Sequence, residues 1–178
     1  MSQEQIGTNS NPLKKYYRQP KQFIKLPSGY KFYPEGSIEI PETGEFPVYA
    51  MTAKDELTMK TPDALLNGQA TVDLIKSCIP AIKDPWVMPT LDLDAALLAI
   101  RIATYGNNME ITATIPGTSE KKEYQVDIQK ILNKLVTASY VSEVQMGEMK
   151  VFTRPLTYKE FTKTSLQTFE EQRVFAII

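Results

Sequence analysis

Asp92, Asp94 and Arg101 are the charged residues of the most apolar stretch of the chain, Leu91 to Tyr105. Two carboxylates beside a guanidinium are what an acid–base hydrolase would need. Asp94 and Arg101 stand seven apart, so a helix carries them on nearly one stripe. A catalytic reading makes Asp94 a carboxylate held by Arg101, with Asp92 or Asp94 serving a hydrolase. The structural reading, a helix-cap acid plus an ion pair, is preferred, because no second carboxylate lies at glycosidase-like spacing. The 178 residues contain no His, which removes Ser-His-Asp triads, Cys-His nucleophiles and His-bearing zinc sites together. The single cysteine, Cys78, excludes an intrachain disulfide and a CxxC ribbon, and on an apolar helical stripe it reads as a small buried hydrophobe. Asp55, Glu56 and Asp73 could offer oxygens to a hard cation, yet no EF-hand spacing exists and helix-start acids explain them. The eight glycines form neither GxGxxG nor GxxxxGK. No enzyme activity, metal, cofactor or small-molecule substrate is expected.

A second cluster, Lys14-Lys15-Tyr16-Tyr17-Arg18, mixes charge with aromatics, as a phosphate-and-stacking site for single-stranded nucleic acid would. It equally suits a segment that plugs into an acidic protein groove, and this reading is preferred because no folded basic face supports the cluster. The net charge of −1 conceals a split. Residues 1–34 hold six basic groups and one acid, whereas residues 35–178 hold 14 basic and 20 acidic ones. A basic arm is joined to an acidic body.

Several elements must position these residues. Residues 1–11 are polar and aperiodic, expected to order only on a partner. Six prolines between 12 and 47 forbid a helix there. That segment should be extended, with a hairpin over about 36–50 made of strands Gly36–Ile40 and Phe46–Ala50 around the Pro41–Gly44 turn. Thr52 caps a short helix; Pro62 opens another, stopped by Gly68; and Val72, Ile75, Cys78 and Ile79 line one face of a third. Thr90 caps the central helix, which runs to Tyr105 and stops at Gly106. Strands at Glu110–Ile115 and Glu123–Ile128, a helix over Ile128–Val136, a strand pair at Val141–Gln145 and Lys150–Arg154, and a helix from Tyr158 follow. The lone Trp86 should anchor in the core or in a partner. The apolar end, through Phe175 to Ile178, either docks on something or marks a truncated chain.

The expected fold is α+β, helices packed beside small antiparallel hairpins, with a flexible basic arm over residues 1–25 and one domain over 26–178. That domain comprises the 36–50 hairpin, a helical core over about 52–106, a hairpin–helix–hairpin unit over about 109–154 and a helical tail. No apolar run reaches membrane-spanning length and the N-terminus is polar, so a soluble intracellular chain is expected.

Leu26-Pro-Ser-Gly-Tyr-Lys-Phe-Tyr-Pro34, Tyr49-Ala-Met-Thr-Ala-Lys-Asp-Glu56, Leu91-Asp-Leu-Asp94 with Leu97, Leu98 and Arg101, and Thr104-Tyr-Gly106 occur in order. Together they resemble the baseplate hub and hub-assembly proteins of T-even-type contractile-tailed phages, over roughly residues 26–106. Where some relatives carry a cysteine pair after the TYG-like motif, Ile111–Gly117 has none, and a metal knuckle is not expected. The resemblance implies a non-enzymatic hub subunit or hub-assembly chaperone, present in the host cytoplasm during assembly and, if it is a subunit that stays, in the virion tail baseplate. Its partners would be other hub proteins, with no membrane and no nucleic acid. Lys14, Lys15, Tyr16, Tyr17, Arg18, Phe23, Tyr30, Trp86, Phe175 and Ile178 are the candidate partner-binding residues; the alternative is the single-stranded nucleic-acid module.

Overall fold

A computed structural model describes residues 17–138 and 140–175, the side chains of 169–175 excepted. Among the described residues, six helices and three two-stranded antiparallel sheets form an α+β fold. The central helix, α4 (Thr90–Tyr105), follows three helices, α1 (Ala53–Thr58), α2 (Pro62–Leu66) and α3 (Gln69–Cys78), and a 3-10 turn at Pro85–Val87. Its apolar residues run almost all round, and Leu93, Ala95, Ala96, Ala99 and Ile100 are buried between α3 and the first sheet. In α3 the three-residue spacing places Val72, Ile75 and Cys78 in the core, beside Met88 and Ile82.

That first sheet differs from the expected one. Strand β2 (Phe46–Val48) pairs with β1 (Gln22–Ile24), in register Phe23 opposite Pro47, and not with residues 36–40. The Pro41 turn forms, with the Gly44 N–H donating to the Pro41 carbonyl at 2.8 Å, but the segment before it makes a single bridge, Ile38 to Ile82. Both segments alternate, so burial and not alternation marks the choice. Ile24 and Leu26 point inward together with Phe46 and Val48, whereas a 36–40 strand would offer Ile40, which stays 53% exposed. Residues 17–25, assigned to the arm on sequence, therefore include a strand of the body.

Local chemistry fixes the helix ends. Thr52 and Asp55 form a capping box on α1, the Thr52 N–H donating to Asp55 Oδ2 at 2.7 Å. Gly68 does more than stop α2; it is the N-cap of α3 at φ +80°. Thr90, expected as a cap, is the first residue of α4, and Pro89 takes the cap position. The reason is a main-chain tie: the Thr90 N–H donates to Leu156 O at 2.9 Å, and the Tyr158 N–H to Met88 O at 2.8 Å.

Beyond Gly106 the elements fall where alternation and periodicity place them. Strands β3 (Asn108–Thr114) and β4 (Lys121–Asp127) lead into α5 (Ile128–Thr137), which buries Ile128 and Leu132. Strands β5 (Glu143–Met146) and β6 (Met149–Phe152) precede α6 (Tyr158–Phe175).

The start of α6 is an electrostatic cap. Glu160 accepts from the Thr157 N–H at 2.9 Å and from both Arg154 guanidinium nitrogens at 2.6 and 2.9 Å. The Arg154 bonds, then the Thr157 bond, lower its carboxyl to about 2. A depressed acid stabilises the fold above its ordinary value of 4.5 and loses that contribution as pH falls toward 2. The first turn of α6 should fray over this window. Carboxyl NMR titration of Glu160 should give a midpoint near 2; a midpoint near 4.5 would remove the cap from the account.

Candidate interaction surface

Asp92 is fully buried, and it is no catalytic carboxylate on offer to solvent. It accepts from the Ser28 N–H at 2.7 Å, Ser28 Oγ at 2.5 Å and Tyr33 OH at 2.9 Å. Burial raises its carboxyl above the ordinary range, more than the Ser28 and Tyr33 bonds lower it. The carboxylate pins the Leu26–Tyr33 loop onto α4. Burial and then the nearby Asp92 charge raise the Tyr33 phenol in turn. Asp94 is exposed and does not pair with Arg101: seven residues on one stripe are still about 10 Å apart along the axis. Arg101 lies instead over the Tyr105 ring, 4.5 Å from its centroid.

Asp55, Glu56 and Asp73, the acids weighed for a cation, are also occupied. Asp55 closes the α1 cap, Glu56 accepts from Tyr105 OH at 2.9 Å, and Asp73 accepts from Gln69 at 2.7 Å. Among the described residues no group of three Cys, Asp or Glu side chains converges as a metal site.

The basic cluster divides. Lys14, Lys15 and Tyr16 lie outside the described residues, and Tyr17 is exposed. Arg18 folds back onto the body. Its Nη1 donates to Ser77 O at 2.7 Å, its Nη2 donates to Ala50 O, and the guanidinium stands 3.7 Å from Asp55 and above the Tyr49 ring. Burial pushes the Asp55 carboxyl up, but bonds from Thr52 and Ser77 and the Arg18 charge outweigh it and leave it lowered. Burial likewise raises the Cys78 thiol, against the pull of Arg18. Arg18 is a clamp of the fold, not an open phosphate contact.

The remaining candidates are dispersed. Phe23 projects from β1 into solvent, whereas Tyr30 donates to Gly44 O and packs 5.7 Å from Phe46. Trp86 stacks on Tyr158 at 5.5 Å and 15° and lines a groove of about 390 Å³ with Lys159, Lys163 and Leu166. The Phe175 side chain and Ile178 are outside the described residues.

Two exposed apolar faces become visible only in the strand pairing. In β3–β4, register places Met109 opposite Val126 and Ile111 opposite Tyr124, giving one apolar face and one polar one. Met109, Ile111 and Tyr124 are all exposed. In β5–β6, Val144 faces Val151 and Met146 faces Met149, again on one exposed face. A two-stranded hairpin gains little stability alone in water, and an apolar face left open is a mark of contact surfaces. The signal is present as alternation along the strands, broken at Phe152, but only the strand register puts the two halves of each face together.

Comparison with known families matches residues 22–178 to the family described as T4 bacteriophage base plate protein. The chain belongs to that family. The match takes in β1 and everything after residue 106, where the sequence motifs were silent, so both open hairpins are part of this phage baseplate protein's family region. Comparison with curated proteins and with solved structures finds no match. Among the described residues of the baseplate protein, no helix is long and apolar enough to cross a membrane.

Proposed function

We propose that this baseplate protein works without catalysis in the baseplate hub, as a hub subunit or as an assembly factor for it, by contacts with other hub proteins. The observation that carries the reading is the open apolar face of β3–β4, Met109, Ile111 and Tyr124, in a chain of baseplate family. Burying such a face against a partner removes apolar area from water, the main drive for stable association. The basic segment at Lys14, Lys15, Tyr16 and Tyr17 adds a second contact, suited to an acidic neighbour. Assembly takes place in the host cytoplasm, and a subunit would remain in the tail baseplate.

The test pairs Ile111→Ser with Tyr124→Ser, and separately deletes residues 1–16. The deletion stops at 16 because Arg18 and β1 belong to the packed body. The two strand changes remove one cross-strand pair, worth roughly 0.2–1 kcal/mol, and a urea titration of the variant shows whether the body stays folded. Co-purification with the other hub proteins should fall at least about tenfold, equal to ~1.4 kcal/mol. Undiminished recovery of the complex from the double variant would overturn the role of the face. Peptide mass mapping of mature particles separates the two forms of the reading, since an assembly factor would be absent from them.

A further inference from the structure

A cavity of about 420 Å³ opens between α1, α3 and the last turns of α4. Its wall is apolar, with Met51, Met59, Leu74 and Leu97, and Arg101 stands in it. Arg101 Nη1 is shut away from water and donates to nothing. A buried guanidinium nitrogen without an acceptor is rare and unfavourable. The nearest acid of the cavity, Glu56, already accepts from Tyr105 OH, while Lys60 adds a further positive charge. The cavity therefore combines an apolar wall with an unmet demand for a carboxylate, and calls for a group that brings both.

One projecting feature of the same chain has that composition. The β5–β6 turn reads Met146-Gly147-Glu148-Met149, with Met146 59% and Met149 68% exposed and Glu148 exposed between them. Gly147 turns the chain at φ +63°, and Gln145 Nε2 donates to the Gly147 carbonyl at 2.7 Å, which stiffens the tip. Among the described residues Glu148 makes no ion pair. Methionine is the side chain best able to fill an irregular, methionine-lined space.

We infer that the hairpin tip of one copy enters the Arg101 cavity of a second copy. Glu148 takes the guanidinium, through rotation of the arginine's outer torsions, and Met146 and Met149 cover the Met51–Met59 wall. Tip and cavity are different patches, so the contact is heterologous: repeated, it closes a ring, or it makes a short chain that leaves one cavity free at one end and one tip free at the other. The inference concerns the chain alone and does not rest on the hub reading. Its assay contains no other protein, so the two fail separately.

The test is sedimentation of the purified full chain across the micromolar range. The wild type should associate with increasing concentration, and Arg101→Gln and Glu148→Gln should each weaken association at least about tenfold. Mixed in equal amounts, the two variants should form a 1:1 dimer and nothing larger. The one intact contact joins Glu148 of the Arg101→Gln chain to Arg101 of the Glu148→Gln chain. A wild type that stays monomeric, a variant that associates as the wild type does, or a mixture without the dimer would each overturn the inference. So would docking of another baseplate protein in the cavity while the wild type alone stays monomeric. Should Arg101→Gln fail to fold, Glu148→Gln, on an exposed turn, still decides the matter.

Discussion

Asp92→Ala lowers the free energy of unfolding by roughly 3–5 kcal/mol, a large part of the ~5–15 kcal/mol typical of a domain. The substitution takes away the acceptor shared by the Ser28 N–H, Ser28 Oγ and Tyr33 OH. Ser28 is 3% exposed, so water cannot replace the lost acceptor without opening the loop. A urea titration measures the loss as a lower midpoint at unchanged slope. Asp92→Asn should lose less, since the amide oxygen still serves the hydroxyls, though its NH₂ can no longer accept from a donor. The pH dependence has a definite sign. Net burial raises the Asp92 carboxyl, so its contribution is fully present below the ordinary carboxylate value and declines as pH rises through the raised one. The margin of wild type over Asp92→Ala should therefore be widest in acid and narrow toward neutrality. A loss under about 1 kcal/mol would mean that the loop is not held by this carboxylate.

Gly68→Ala should cost roughly 2–3 kcal/mol by adding two penalties at one position. At φ +80° an L side chain is strained by about 1–2 kcal/mol. The new methyl would also lie 2.9 Å from Tyr158 OH and 3.2 Å from the rim of Trp86. To make room, the Trp86–Tyr158 stack must shift, and with it the first turn of α6. Trp86 is the only tryptophan, so its fluorescence reports the stack directly. The expected result is a changed emission maximum in the native state together with earlier unfolding. Unchanged emission and stability would show that α6 does not depend on this close approach.

The parts of the fold legible in the sequence are those fixed by neighbours in the chain. Ile128, Ile131, Leu132 and Leu135 define α5 by spacing alone, Gly106 ends α4, and the Met146-Gly147 turn sets the β5–β6 register. The strand partner of Phe46–Val48 was not legible. That choice depends on burying Ile24 and Leu26 over α4, a comparison between segments more than 60 residues apart. Asp92 reads in the sequence as a helix-cap acid or a hydrolase carboxylate, and its acceptor role needs Ser28, 64 residues earlier, which no local pattern marks. The basic cluster suggests Arg18 as a partner contact, and nothing near it in the chain marks the Ser77 and Ala50 carbonyls that accept from it. The candidate contact faces were half legible: alternation marked the strands, and pairing was needed to show that the apolar halves coincide.

The Ser28–Asp92 tie also sets an order of events during synthesis. At roughly 5–20 residues per second, Asp92 follows Ser28 from the ribosome by about 3–13 s. Over that interval β1, the loop after it and the apolar side chains of Ile24 and Leu26 have no completed α4 to settle on. The hairpins made later close within about 1–10 μs of emerging. The strand translated first is thus one whose docking waits for α4, and the nascent chain holds Ile24 and Leu26 open to water for seconds before α4 covers them.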